Sequence, residues 1–245
     1  VEQDRLARPW RPIVSGRISR RSAGLAYLAL TVAGIAVSGI AGMQPMLVAI
    51  ALVAAIATYN LVCKATVLGP IAMGGCRFLN ILLGGSTATA DVTHVLLGLP
   101  LLLWWIAFSL AVLITGLTWF ARQEASLSRR GQLLSAAAVM VAGMLFYAAA
   151  SWMPETDTTN STPTRIVYLV MLGLIALPIL WRINDAVTRL QPASVQAAVR
   201  SVLQSLIFLD AAVCILASGN QLLYPLITAL FVIPSLVAAR YVSST

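Results

Sequence analysis

A short arginine-rich run near the start of the chain has residue types and spacing that suit the binding of a polyanion. Residues Arg8–Ser19 read RPWRPIVSGRIS, and Asp4 lies a few positions earlier. The two prolines restrict the backbone and Gly16 permits a tight turn. Arginine forks match phosphate oxygens, and a carboxylate suits magnesium. The run therefore predicts a rigid basic loop that holds a phosphate-bearing ligand with a bridging divalent cation.

Two further cations lie in or beside apolar segments. Lys64 follows the polar pair Tyr59 and Asn60, and Arg77 lies within an apolar run. A charge at membrane depth is costly and indicates function by default, and Asn80 shares the helix face of Arg77. Simpler explanations stay open: Lys64 could extend to the membrane interface, and Arg77 could pair with Asp210, a carboxylate deep in another apolar run.

The composition requires an environment of lipid. The chain has 245 residues, of which 60% are hydrophobic and 10% charged, and its mean hydropathy is +0.90. A soluble domain has about 25% charged residues. The sequence predicts an all-α, polytopic transmembrane helical bundle that forms a single domain over 1–245, with a motif loop at 1–21 and the bundle at 22–241. About eight spans of adequate length are expected, at 22–43, 45–63, 67–89, 93–121, 132–152, 165–182, 197–217 and 221–240.

The basic residues alternate between connections in the way that membrane topology requires. Fourteen lie in the N-terminal segment and every second connection, whereas only Arg165 lies in the others. By the positive-inside rule, both termini are expected in the cytoplasm, in a bacterial inner membrane or a plasma membrane. This distribution also makes nucleic acid an unsuitable partner despite the net charge of +8. The three cysteines and one histidine form no zinc pattern.

A polar stripe occurs late in the chain. Gln196, Arg200 and Gln204 are four residues apart and lead toward Asp210. On a helix they share one face. They could line a cavity or form a hydrogen-bonded seam between helices, and the sequence does not choose between these alternatives.

These motifs resemble the UbiA superfamily of intramembrane prenyltransferases. Its members carry an N-D-x-x-D-x-x-x-D motif closely followed by a P-x-R-P-I/L-x-S-G-x-I-S loop, and the spacing from Asp4 to the loop is like that of chlorophyll synthases. By this resemblance Asp4 is the last aspartate of the motif, and the first helices of the fold lie before Val1. Tyr59…Lys64 and R-x-L-N-x-x-L-G, from Arg77, resemble the EboC-like branch. The matching loop residues are Pro9, Arg11, Pro12, Ile13, Ser15, Gly16, Ile18 and Ser19.

The resemblance implies the transfer of a prenyl group from a prenyl diphosphate to a lipophilic or aromatic acceptor, assisted by Mg²⁺. The ion would be held by Asp4 and Glu124, and the prenyl diphosphate would enter from the bilayer. Cations would bind the diphosphate, and three polar residues would line the cavity. The implied residues are Asp4, Lys64 and Arg77 for catalysis, Arg11, Lys64, Arg77 and Arg122 for the diphosphate, and Tyr59, Asn60 and Asn80 for the cavity.

The chain departs from the family at the second aspartate-rich motif. Thr118 and Ala125 stand about where aspartates are expected, and Glu124 is the sole acid nearby. The alternative is therefore a non-catalytic member of the fold that binds or transports an isoprenoid or another amphiphile. A third possibility is an unrelated secondary transporter that uses Arg77 and Asp210, but it leaves the Arg8–Ser19 match unexplained.

Overall fold

The fold is a bundle of helices in a computed structural model that describes residues 15–87, 95–122, 130–153, 162–218, 221–234 and 237. The described part contains eight α-helices and one short hairpin. The helices are α1 Arg20–Ala41, α2 Met43–Thr58, α3 Gly69–Gly85, α4 Leu101–Ala121, α5 Arg130–Ala149, α6 Thr162–Arg189, α7 Pro192–Ser218 and α8 Leu223–Leu230. The hairpin strands are β1 Val95–Leu96 and β2 Leu99–Pro100.

Six of these helices are long and apolar enough to cross a membrane. They are α1, α2 together with the π-helical turn Tyr59–Cys63 that follows it, and α4 to α7. Backbone groups in lipid must be satisfied within the segment, which is why apolar runs of this length form helices. The helix α3 is shorter, with 17 residues, or about 25 Å at the usual rise. The predicted all-α polytopic bundle is confirmed.

The predicted span 93–121 is wrong in its first residues, which form an antiparallel hairpin with Leu96 opposite Leu99. Leu97 and Gly98 turn the chain with φ of 52° and 77°, the positive values that a tight hairpin turn needs. Gln44 Nε2 donates to the Leu97 carbonyl at 2.9 Å, and Trp104 Nε1 donates to the Leu96 carbonyl at 3.0 Å. Side chains from two helices thus hold an apolar turn whose hydropathy resembles that of a helix.

The helices α6 and α7 are longer than the apolar runs that predicted them. The interval between the predicted spans 165–182 and 197–217 is mostly helical, because α6 continues to Arg189 and α7 begins at Pro192. Only Leu190 and Gln191 lie between them, and Leu190 has φ of 56°. Hydropathy marks the part of a helix that lies in lipid, whereas the helix itself extends further.

The helix α4 is the centre of the bundle, since it packs against α3, α5 and α7. Glycines allow these close approaches. A Cβ on Gly143 of α5 would lie 2.6 Å from the Leu113 backbone nitrogen, and one on Gly116 of α4 would lie 2.7 Å from that of Met140. In contrast, α1 buries no residue, and its Ile40 is 87% exposed. Such apolar surface is suited to lipid.

Hydrogen bonds between connections show which of them share an end of the bundle. Arg122, after α4, contacts Lys64, after α2. Gln44, at the start of α2, contacts the hairpin before α4. Both contacts agree with the alternation that the sequence predicts. We call the end with Lys64 and Arg122 the cationic end, and the end with the hairpin the opposite end.

Candidate functional site

The cationic end is built around one hydrogen bond. Arg122 Nη2 donates to the backbone carbonyl of Lys64 at 3.0 Å. Arg122 caps the C-terminus of α4, and Lys64 ends the π-helical turn Tyr59–Cys63 that extends α2. Two of the predicted diphosphate-binding residues therefore come together, from positions far apart in the sequence.

Gly69 makes this contact possible. A Cβ at Gly69 would collide with Arg122 Nη2 and would lie 2.7 Å from the Cys63 carbonyl oxygen. Gly69 and the following Pro70 are buried at the first turn of α3, where proline is favoured because its missing N–H has no helical partner. The Gly-Pro pair thus starts α3 directly beneath the guanidinium of Arg122.

Neither Lys64 nor Arg122 has an acidic partner in the part of the chain that the structure describes. There the only ion pair joins Arg189 Nε to Asp185 Oδ1, at 2.6 Å. Lys64 and Arg122 are both exposed. Two cations that have no acidic partner among the described residues, at one end of an apolar bundle, produce a positive field that attracts anions. Arginine and lysine there could donate to the oxygens of a phosphate group.

The residues just before α1 confirm the turn predicted at Gly16 in the basic loop. Gly16 has φ of 77°, in the region that glycine adopts without strain. Ser19 caps α1, and its Oγ accepts a hydrogen bond from the Ser22 backbone at 3.0 Å. The cap fixes the point at which the loop ends and the first described span begins.

Three predicted site residues lie outside the described residues: Asp4, Arg11 and Glu124. Their places relative to Lys64 and Arg122 stay predictions. Among the described residues, no group of three or more His, Cys, Asp or Glu side chains could hold a metal ion. The expected magnesium site therefore depends on acids in the undescribed segments.

Arg77 lies in the middle of α3, eight residues after Gly69, or about 12 Å along the helix. It is exposed, as is Asn80 one turn later. The Cα–Cβ bonds of a helix tilt toward its N-terminus, and the N-terminus of α3 is at the cationic end. An extended arginine at this depth could reach toward that end, and its place in the diphosphate-binding set stays a prediction.

The alternative partner of Arg77 is also close. Arg77 and Asp210 interact electrostatically, yet they form no ion pair within the 4.0 Å limit. Their helices, α3 and α7, both pack on α4. A charge inside a membrane protein is stabilised by an opposite charge nearby. Arg77 and Asp210 therefore lie within electrostatic range of each other but do not form an ion pair.

The predicted cavity residues Tyr59 and Asn60 lie in the π-helical turn at the end of α2. Tyr59 is half-buried and Asn60 is exposed. Lys64 N–H donates to the Tyr59 carbonyl at 2.8 Å, which closes this wider turn. Single π-helical turns often occur at functional sites because they redirect the side chains that follow. Here the turn joins the predicted cavity residues directly to Lys64.

The polar stripe on α7 forms no hydrogen-bonded seam. Gln196, Arg200 and Gln204 are all exposed, and none of them bonds to another helix within the described ranges. Buried residues such as Val195, Ala198 and Val202 form the opposite face of α7. The stripe therefore lies on an exposed face of α7, and a cavity lined by it stays a prediction.

Two polar positions of interest escape sequence analysis. Tyr147 is fully buried in α5 and its hydroxyl has no hydrogen-bond partner among the described residues. Asp185 lies near the end of α6 and is held by Arg189. A tyrosine in an apolar run has no signature that marks its hydroxyl as unpartnered. The i, i+4 spacing of Asp185 and Arg189 could have indicated their pairing.

The six long apolar helices and the apolar exterior define an integral membrane protein with a cation-rich end. Residues 1–198 match the UbiA prenyltransferase family. The chain therefore belongs to this family, whose general activity is prenyl transfer within a membrane. Comparison with curated proteins and with solved structures finds no match. The finer assignment to an EboC-like or chlorophyll-synthase-like branch stays a prediction, as does the absence of the first helices.

Proposed function

We propose that the protein is an intramembrane prenyltransferase that moves a prenyl group from a prenyl diphosphate to a lipophilic or aromatic acceptor. The observation that carries this proposal is the Arg122–Lys64 contact at 3.0 Å. It gathers two cations, without acidic neighbours in the described chain, at one end of an apolar bundle. A prenyl diphosphate has matching chemistry: an apolar chain for the lipid-facing surface and a polyanionic head for the cations.

The cations act on the leaving group. Lys64, Arg122 and Arg77 neutralise the charge that develops on the diphosphate as the allylic C–O bond breaks. The electron pair of that bond leaves with pyrophosphate. The acceptor then donates an electron pair to the allylic carbon, forms the new bond and releases a proton. Arg11 would add a further cation from the basic loop.

Magnesium is part of the proposal through the chemistry of Asp4 and Glu124. Carboxylate oxygens are the ligands that Mg²⁺ prefers. When bound, the ion would neutralise the diphosphate and orient it. The residues of the described part of the chain contribute the cations, and the acids of the undescribed segments would contribute the metal ligands.

The cationic end is proposed to face the cytoplasm. Lys64 and Arg122 share this end, and the basic residues of the N-terminal segment and every second connection concentrate there by the predicted alternation. Positive loops are retained in the cytoplasm. A water-soluble pyrophosphate released at this end would then leave the membrane directly into the cytoplasm.

A second candidate is a non-catalytic family member that binds or carries a prenyl diphosphate or another amphiphile. Thr118, which stands where the family has an aspartate, lies in the last turn of α4. A threonine hydroxyl is a weak substitute for a carboxylate as a magnesium ligand. The two candidates share the diphosphate site and differ in whether the C–O bond breaks.

The test uses the protein expressed from its complete coding sequence and reconstituted in nanodiscs. It is mixed with radiolabelled geranylgeranyl diphosphate and a panel of phenols and quinols, with magnesium or with EDTA. The proposal predicts magnesium-dependent release of pyrophosphate together with a labelled, lipophilic product. Binding of the donor without either product would support the carrier instead. If neither binding nor turnover occurs across the panel, the diphosphate site itself is refuted.

A further inference from the structure

Arg200 is an exposed cation within an apolar helix. It lies eight residues after α7 begins at Pro192, and α7 is long and apolar enough to span a membrane. Gln196 and Gln204 lie one turn before and after it on the same exposed face. Arg200 forms no ion pair with another described residue. A cation in such a helix is costly, and by default it marks a path or site for a substrate.

Close glycine contacts give the relative depths of α3, α4 and α5. A Cβ on Gly74 of α3 would lie 2.5 Å from the Ala111 carbonyl oxygen, and a Cβ on Gly143 of α5 would lie 2.6 Å from the Leu113 nitrogen. Ala111 and Leu113 are two residues apart in α4, or about 3 Å along its axis. Gly74 and Gly143 therefore lie at nearly the same depth in the bundle.

A shared cavity wall relates the depth of α7 to that of α3. Leu209 of α7 lines the same cavity as Tyr147 of α5, which lies four residues past Gly143, or about 6 Å. Arg77 lies three residues past the contact glycine of α3, or about 4.5 Å. Both α3 and α5 run antiparallel to α4, away from the cationic end. Asp210, the residue after Leu209, is therefore about level with Arg77.

The direction of α7 follows from a hydrogen bond between α5 and α6. Tyr168 Oη donates to the Tyr147 carbonyl at 2.7 Å, close to the end of α5 and the start of α6. The helix α6 therefore starts at the opposite end and runs to the cationic end, where two residues join it to α7. Thus α7 begins at the cationic end, as α3 does, and both helices pack on α4.

These depths place Arg200 at the cationic end. Arg200 lies ten residues before Asp210, or about 15 Å nearer that end. Gly69 lies eight residues before Arg77, or about 12 Å nearer the same end. Since the two starting points are level, Arg200 lies within about one helical turn of the depth of Gly69. The guanidinium of Arg122 lies against Gly69, so the two arginines are at similar depth.

Arg200 also lies close to the side of α7 that faces α3. Residues ten apart on a helix differ in direction by about 80°, so Arg200 is within a quarter turn of Asp210. Asp210 interacts electrostatically with Arg77 of α3. Arg122 and Arg200 therefore approach the cationic end from neighbouring helices, α4 and α7, and neither forms an ion pair with a described acid.

We propose that Arg200 binds one phosphate group of a prenyl diphosphate while Lys64 and Arg122 bind the other, so that the site selects a diphosphate over a monophosphate. This inference rests on the proposed function of the cationic end. A guanidinium matches two oxygens of one phosphate group, and Gln196 and Gln204 offer amide donors on either side of it. A monophosphate leaves one of the two cationic positions without an anion.

The test is equilibrium competition on the complete protein in nanodiscs of zwitterionic lipid. Radiolabelled geranylgeranyl diphosphate is displaced by unlabelled geranylgeranyl diphosphate or by geranylgeranyl monophosphate. The ratio of the two affinities measures the selectivity. Wild type should bind the diphosphate at least about ten-fold more tightly, because the diphosphate makes one more charged hydrogen-bonding contact.

Variants of Arg200 should change this ratio. Arg200→Gln should weaken the binding of the diphosphate about ten-fold and leave that of the monophosphate within about two-fold of wild type. Arg200→Lys keeps the charge but not the planar fork, and its affinity for the diphosphate should lie between the other two. All of these proteins should remain folded by thermal unfolding, because Arg200 is exposed.

Arg182→Gln is the matched control. Arg182 is exposed and lies seven residues before the end of α6, so it is at about the depth of Arg200. It belongs to a helix that packs chiefly against α5 and α7. This variant should bind both ligands as wild type does.

The outcomes separate the role of Arg200 from the function of the whole site. If wild type binds no geranylgeranyl diphosphate, the proposed function fails and the role of Arg200 fails with it. If Lys64→Met with Arg122→Met lowers the affinity and Arg200→Gln does not, only the role of Arg200 is wrong. An equal loss for both ligands in Arg200→Gln, or the same loss in Arg182→Gln, would reduce Arg200 to a part of the general positive field and overturn the proposal.

Discussion

Arg122 lies over Gly69, and its guanidinium donates to the Lys64 carbonyl at 3.0 Å. The contact joins the end of α4 to the connection between α2 and α3. It fixes the position of one cation by bonding it to the backbone next to another. Because a carbonyl accepts only part of the hydrogen-bonding capacity of a guanidinium, Arg122 keeps donors for an anion.

Gly69→Ala should disrupt this arrangement. The new Cβ would collide with Arg122 Nη2 and approach the Cys63 carbonyl, and overpacking of this kind costs about 1–3 kcal/mol. We expect a lower melting temperature and weaker binding of a prenyl diphosphate. Gly84→Ala in the same helix is the control, since its Cβ meets nothing within 4 Å. If both variants melt and bind alike, Gly69 has no special role.

Arg122→Lys should show whether binding of the prenyl diphosphate needs only the positive charge of Arg122 or also the planar shape of its guanidinium. Lysine keeps the positive charge but cannot form the planar fork of arginine, so it cannot hold the Lys64 carbonyl and a phosphate oxygen in the same way. We expect donor affinity between those of wild type and Arg122→Met, measured by equilibrium binding. An Arg122→Lys protein that binds as wild type does would show that only charge matters.

Arg77 and Asp210 should be energetically coupled. Removing one charge leaves the other without an opposite charge nearby at membrane depth, and coupled pairs show interaction energies of about 0.5–3 kcal/mol. Asp210→Asn and Arg77→Met should each lower the free energy of unfolding, while the double variant should lose less than the sum of the two. The measurement is a double-mutant cycle by reversible unfolding in mixed micelles. Additive losses would mean that the electrostatic interaction contributes nothing.

Removal of the Tyr168 hydroxyl should lower the stability of the protein, whereas removal of the Tyr147 hydroxyl should not. Tyr168 Oη donates at 2.7 Å to the Tyr147 carbonyl, so Tyr168→Phe leaves a buried carbonyl with one partner fewer and should cost about 1 kcal/mol. Tyr147 Oη has no partner in the described chain, so Tyr147→Phe should leave stability unchanged or increase it. Thermal unfolding without added ligand compares the two. A larger loss for Tyr147→Phe would contradict the structure.

The bundle itself could be predicted because membrane-spanning helices are specified by composition over many residues. The apolar runs locate the eight helices of the described chain. The placement of the cations indicates which helix ends lie on the same side of the membrane. The hairpin Val95–Pro100 could not be recognised this way, since it is apolar like the helix that follows. Its shape depends on Gln44 and Trp104, which come from elsewhere in the fold.

The site could be predicted only in part. Lys64, Arg77 and Arg122 stand out because charges are rare in this chain. That Arg122 meets Lys64, and that Arg77 lies within electrostatic range of Asp210, depends on how the helices pack. Tyr147 could not be found, because its unpaired hydroxyl is a property of the surroundings that α5, α6 and α7 create together.

The most direct test of the central proposal is equilibrium binding of a radiolabelled prenyl diphosphate to the complete protein in nanodiscs. Lys64→Met combined with Arg122→Met should lower the affinity by more than about a hundred-fold, because each charged hydrogen bond contributes about 1.5–3 kcal/mol. Arg165→Met removes the same charge at the opposite end and should bind as wild type does. Equal affinity in the double variant, or an equal loss in the Arg165 control, would contradict a diphosphate site at the cationic end.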